Sequence, residues 1–87
     1  MIAVTHTGQV RGRRDADTWA FLGIPYAAPP TDRLRWCSPR PAQAWTGVRD
    51  AVAFGAAPVQ TLGGSAAWLY DTAEPQSEDC LTLNVWT

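Results

Sequence analysis

Four residues head any search for chemistry in this chain. His6 is its only histidine, and Cys37 and Cys80 are its only thiols. Ser65 sits in Gly63-Gly64-Ser65-Ala66-Ala67, one residue short of the Gly-x-Ser-x-Gly pattern. A serine nucleophile needs a base to take its hydroxyl proton and backbone N–H groups to hold the oxyanion. Its elbow also needs a buried strand before the serine and a helix after it. Val59 to Leu62 is a poor strand beside Pro58, and no histidine follows Ser65. The stretch therefore reads as a flexible Gly-Gly-Ser loop. His6 lies beside a turn without ligand or acid partners in the neighbouring sequence, and reads as solvated. Cys80, in an alternating apolar run, reads as an inert buried thiol. Cys37 lies in a loop among prolines.

The charged residues divide in the same way. Asp71, Glu74, Glu78 and Asp79 cluster without the spacing of a Ca²⁺ loop. Arg11, Arg13 and Arg14 are followed at once by Asp15 and Asp17, with no aromatic platform interleaved, and read as an exposed strand edge. The formal net charge is −1, so no general field draws the chain to nucleic acid or anionic lipid. Arg35 and Glu78 stand apart. Arg35 interrupts the apolar Leu34-Arg35-Trp36, and Glu78 precedes an apolar strand. An unpaired ion beside a core is costly, and the planar guanidinium fork suits a carboxylate. Each therefore calls for a partner of opposite charge.

The elements that must position these groups are short strands. Ile2 to Thr7 alternates, Thr7-Gly8-Gln9 reads as a turn, and Val10 to Arg14 as the return strand. Asp15-Ala16-Asp17 turns again into Thr18 to Leu22, which gives a three-stranded meander. Gly23 to Pro30 ends it, because Pro25 removes a ladder donor and Pro29-Pro30 favours an extended path. Val48 to Phe54 reads as strand or loop, and Ser65 to Tyr70 as about one helical turn. Cys80 to Trp86 alternates, with Leu81, Leu83 and Val85 on one face and no strongly polar face, so cover on both sides is expected.

These elements do not make a convincing separate domain. A chain of 87 residues buries only about 60–65% of its unfolded surface. Tryptophans at 19, 36, 45, 68 and 86 ask for a larger core or a neighbour. Two cysteines are too few for a disulfide scaffold, no stretch approaches the roughly 20 apolar residues of a membrane helix, and no secretory leader is visible. Unpaired apolar strand edges are expected to invite association with other chains.

A set of words in fixed order gives a resemblance. Gly8-Gln9-Val10-Arg11-Gly12, Phe21-Leu22-Gly23-Ile24-Pro25-Tyr26-Ala27-Ala28-Pro29-Pro30, Leu34-Arg35-Trp36, Pro39, Trp45, Arg49-Asp50-Ala51, Phe54-Gly55, Gln60 and Ser77-Glu78-Asp79-Cys80-Leu81 are similar to the N-terminal segment of type-B carboxylesterases, the cholinesterase-like α/β-hydrolases. Two departures stand out. Thr31-Asp32-Arg33 stands where the family often has Gly. Pro58 stands where many members carry the cysteine that pairs with the Cys80 equivalent.

The resemblance implies an α/β-hydrolase fragment: an N-terminal antiparallel hairpin layer, long Pro/Gly-rich loops, little helix, and a strand leading into the central sheet. Residues 1–87 would be the N-terminal part of one carboxylesterase domain that continues beyond Thr87 in the family. The implied function is hydrolysis of a small-molecule carboxylic ester by a serine mechanism without a cofactor. Nucleophile, acid, base and oxyanion loop all follow Thr87 in the family, so no catalytic residue is assigned here. An inactive structural arm is expected, with the rest of the esterase chain as its partner. In the family the residues matching Arg35 and Glu78 form a structural salt bridge, so the resemblance implies direct contact between the two here, with Asp79 as the less likely partner. The lost partner of Cys80 and the missing leader imply a cytoplasmic location and two free thiols. Two rivals remain, a truncated non-catalytic remnant and a stand-alone β-rich binding module.

Overall fold

The computed structural model describes residues 1–61 and 75–87. The helical turn expected at Ser65 to Tyr70 lies outside them. Six strands are present: β1 (Ile2–Val4), β2 (Gln9–Arg11), β3 (Arg13–Asp15), β4 (Thr18–Pro25), β5 (Val48–Asp50) and β6 (Thr82–Trp86). One 3-10 turn, Asp32–Leu34, is the helical element among the described residues. None of their helices is long and apolar enough to cross a membrane.

The expected meander is instead two three-stranded sheets, ordered β1-β2-β5 and β3-β4-β6. Gly12 divides them. Its amide still bonds the Met1 carbonyl at 3.0 Å, one step past the Ile2–Arg11 pair of the first sheet. A Cβ there would lie 2.8 Å from the Ala20 carbonyl oxygen and 2.9 Å from the Phe21 ring. The close approach of β4 needs a glycine, and the strand kinks where it stands. Arg11 thus lies in a central strand, and only Arg13 and Arg14 lie on a sheet edge.

In the first sheet β1 and β2 are antiparallel, with Ala3 opposite Val10. β5 then adds parallel to β2, with Arg49 opposite Val10. The expected strand or loop at Val48 to Phe54 is a strand only over Val48–Asp50. In the second sheet the Asp15↔Thr18 pairing closes a hairpin with Ala16 at φ 52°.

β4 does not stop at Leu22. It runs on to Pro25, opposite Thr82 of β6. The Tyr26 amide donates to Leu81 at 3.1 Å. Ladder groups alternate between sides, so the missing donor of Pro25 falls on the side facing away from β6. A bulge between Phe21 and Ile24 lets β4 serve two neighbours. The Leu22 amide turns to the Ala51 carbonyl at 2.8 Å, while the Gly23 amide is taken by Asn84 Oδ1 at 2.9 Å. Gly23 holds φ 70°, and a Cβ there would meet the Ala53 carbonyl oxygen at 2.6 Å.

The core is small. Val10, Phe21 and Ala51 form its centre, with Ala3, Trp19, Ile24 and Trp45 packed around them. Ala20, Leu22 and Ala27 complete the buried apolar side chains among the described residues. Ala51 is tied to both sheets, donating to the Arg11 carbonyl and accepting from Leu22, each at 2.8 Å. The molecule is a plate, 40 × 38 × 15 Å across its Cα atoms. The cover expected on both faces of β6 is missing among the described residues. Leu83 and Val85 are 40% and 41% exposed on one face, and Trp86 is 50% exposed on the other.

Candidate functional site

The loop after Pro30 is built to aim Arg35. Asp32 enters the 3-10 turn at φ 53°, and the turn closes with Leu34 N–H on the Thr31 carbonyl at 2.9 Å. Arg35 leaves it extended, and Trp36 reverses the path at φ 65°. The Cys37 amide then returns to Leu34 at 3.1 Å, and its Sγ donates to the Arg33 carbonyl at 3.2 Å. On the other side Ser77 Oγ accepts the Asp79 amide at 3.1 Å, and the Ser77 amide is held by Ala57 at 2.9 Å. This ties Glu78 to the 55–60 loop.

Arg35 Nη2 donates to Glu78 Oε2 at 2.5 Å. The hydrogen bond that Arg35 donates to Glu78, and the charge of Glu78, hold the guanidinium proton still more firmly, against an opposing effect of burial, and the charge of Asp32 adds to it. The side chains are 49% and 50% exposed, and a single N–O contact joins them. The pair is a surface clasp between two loops, not an ion pair sealed under a core.

Beside it Trp36, Pro30, Pro58, Val59 and Cys80 line an apolar hollow. Trp36 is 97% exposed. A second groove of about 450 Å³ runs between the Thr5–Thr7 turn and the ends of β4 and β6. Ile24, Tyr26, Leu83 and Val85 form its floor, and His6 stands exposed at its rim. Thr5 Oγ is occupied within the turn, donating to the Gly8 carbonyl at 2.7 Å. No acid lines this groove among the described residues, so His6 has no orienting partner there.

The other singled-out residues do not converge on a reaction centre. Ser65, Asp71 and Glu74 lie outside the described residues. Cys37 is exposed and Cys80 half-buried, both as free thiols. Arg11 pairs with Asp50 at 2.8 Å, and Arg14 lies 5.6 Å over the Trp19 ring. Among the described residues no group of three His, Cys, Asp or Glu side chains could hold a metal ion. Sequence reasoning missed Asn84, whose amide oxygen caps the β4 bulge. Its polar side chain in an otherwise apolar run was the available signal.

The model of the carboxylesterase family matches residues 1–87. The chain belongs to that family. It is 46% identical over 88 residues to a phenmedipham hydrolase of Pseudarthrobacter oxydans, covering 99% of this chain and 18% of the relative. A cocaine esterase of Oryctolagus cuniculus is 45% identical over 94 residues, covering 95% and 18%. A solved PNB esterase superposes with a TM-score of 0.81 at 40% identity, over 98% of this chain and 17% of that one. A carboxylesterase of Geobacillus stearothermophilus gives 0.75 at 35% identity, over 99% and 16%. The fold is that of a small N-terminal part of an α/β-hydrolase, mostly strand and coil. The carboxylesterase chain here spans less than a fifth of the length of these relatives.

Proposed function

We propose that this chain is the structural arm of a serine-type carboxylic ester hydrolase, inactive alone and completed by the rest of an esterase domain. The match of residues 1–87 to the family carries the reading. The arm supplies paired strands, the Arg35–Glu78 clasp and apolar packing surfaces. The nucleophile, acid, base and oxyanion donors belong to the remainder of the domain, and the substrate is a small-molecule ester handled without a cofactor. The unpaired Cys37 and Cys80 fit a reducing, cytoplasmic setting.

A hydrolysis assay with an activated short-chain aryl ester tests this. The chain alone is expected to show no turnover above background. Mixed with a related esterase deleted of its matching segment, it is expected to restore turnover. Activity of the isolated chain that disappears on Ser65→Ala would overturn the assignment of catalysis to the rest of the domain.

A further inference from the structure

Two short limbs, residues 55–60 and 75–80, leave the body of the molecule near Thr82. Gly55 approaches that residue so closely that a Cβ would lie 2.5 Å from Thr82 Oγ1, and the Thr82 amide donates to the Cys80 carbonyl at 2.9 Å. The limbs meet again further out. Ala57 and Gln76 are partners in an isolated parallel bridge. The Ala57 amide donates to the Pro75 carbonyl at 2.8 Å, and the Ser77 amide donates to the Ala57 carbonyl at 2.9 Å. A side chain supplies a third bond, with the Gln60 amide donating to Gln76 Oε1 at 3.1 Å.

Polar contacts hold these limbs, and an apolar interior does not. No residue of either limb is buried, and Val59 is 68% exposed. Segments of this kind sit at the low end of local stability and open without the rest of the fold. A second fastening comes from the side. Glu78 lies on the second limb, and its bond to Arg35 ties that limb to the loop after Pro30. Pro58 and Val59 of the first limb line the same hollow as Cys80, whose thiol is free and half-buried. Separating the limbs takes that wall away from the thiol.

We propose that the two limbs form a latch, which opens and closes as one unit while both sheets stay intact. The Arg35–Glu78 clasp is its second fastening, and Cys80 is the group that opening lays bare. The proposal goes beyond the structural-arm reading and does not rest on it.

Amide hydrogen exchange of the whole chain tests it, with labelling by a small neutral thiol reagent as a second readout. In the wild-type chain the Ala57, Gln60 and Ser77 amides are expected to share one protection factor. It is expected to lie at least about tenfold below that of Leu22 and Ala51, whose bonds join the two sheets. Gln76→Ala removes only the side-chain bond to Gln60, yet is expected to speed Ala57 and Ser77 exchange as well, by about fivefold. Gln76→Glu keeps an acceptor for the Gln60 amide and is expected to restore most of the protection. Arg35→Met, away from the bridge, is expected to speed the same amides about threefold at low salt. Labelling of Cys80 is expected to quicken with Gln76→Ala, while the exposed Cys37 reacts at an unchanged rate. Acceleration confined to the Gln60 amide would show independent bonds and overturn the proposal. So would equal protection of Ala57 and Leu22, Ala57 exchange that ignores Arg35→Met, or Cys80 labelling that ignores Gln76→Ala.

Discussion

The middle of β4 and the strand β6 are hydrogen-bonded neighbours, yet they live in different solvents. Ala20, Phe21 and Leu22 are buried, and their backbone groups are shared among β3, β6 and the Ala51 segment. Leu83, Val85 and Trp86, across the same ladder, stand in water to about half their area. Both strands are apolar, so composition does not separate them. What separates them is cover: β4 is flanked by β3 and β6 and packs on the Ala51 segment, whereas β6 has a partner on one side only among the described residues. The chain therefore contains one finished interior and several apolar surfaces that await a neighbour. That division suits a part of a larger esterase domain better than a self-contained module.

The largest expected effect comes from shortening a side chain in the finished region. Leu22→Ala removes a nearly fully buried side chain at the junction of the two sheets, and is expected to cost about 2–5 kcal/mol. Val85→Ala, on the exposed strand, is expected to change stability by no more than about 0.5 kcal/mol at concentrations where the chain is monomeric. Urea unfolding followed by tryptophan fluorescence measures both. Equal losses would show that β6 is already packed as a core strand and would dissolve the contrast.

Trp36 offers an intermediate effect of opposite sign. It is the most exposed of the described large apolar residues and is held at φ 65°, a region costly for any side chain with a Cβ. Trp36→Gly is expected to stabilise the isolated chain by about 1 kcal/mol, the relief of strain exceeding the added freedom of the unfolded chain. A loss of stability would mean that the ring packs against something in solution. The unfinished surface would then be smaller than the contrast requires.

The sequence carried the strands better than their arrangement. Alternation marked β1, β4 and β6, and Asp15-Ala16-Asp17 marked the hairpin, because these depend on neighbouring residues only. The break at Gly12 depends on the Phe21 ring and the Ala20 carbonyl, which come from another strand. The parallel pairing of β5 was hidden because Val48, Arg49 and Asp50 are all exposed and carry no buried face to give a pattern. The extension of β4 to Pro25 turns on which side of the ladder a missing N–H falls, and that is set by β6, far along the chain. For the clasp, residue type and placement showed that Arg35 and Glu78 each needed a partner, and the family resemblance paired them. Their exposure could not be read, because it depends on what surrounds the loops and not on the apolar residues beside them in sequence.

The smallest expected effect lies in that clasp, and salt is the lever that reveals it. Arg35 and Glu78 meet through one contact at the surface, where water and ions screen the attraction and two flexible side chains must be ordered. The pair joins the loop after Pro30 to the segment before β6, so it bridges the finished and unfinished regions without being buried in either. The guanidinium is held above an already very high value. A group raised in this way contributes its stabilisation fully below its unfolded-state value and loses it only as pH rises through the folded one. Titrating Arg35 therefore contributes no pH dependence to stability between pH 5 and 9, whereas ionic strength does. A double-mutant cycle with Arg35→Met and Glu78→Gln is expected to give a favourable coupling at low salt, smaller than the Trp36 effect and fading toward zero in molar salt. A large coupling that survives molar salt would mean that the pair is desolvated. The boundary between covered and open surface would then have to be redrawn around Arg35.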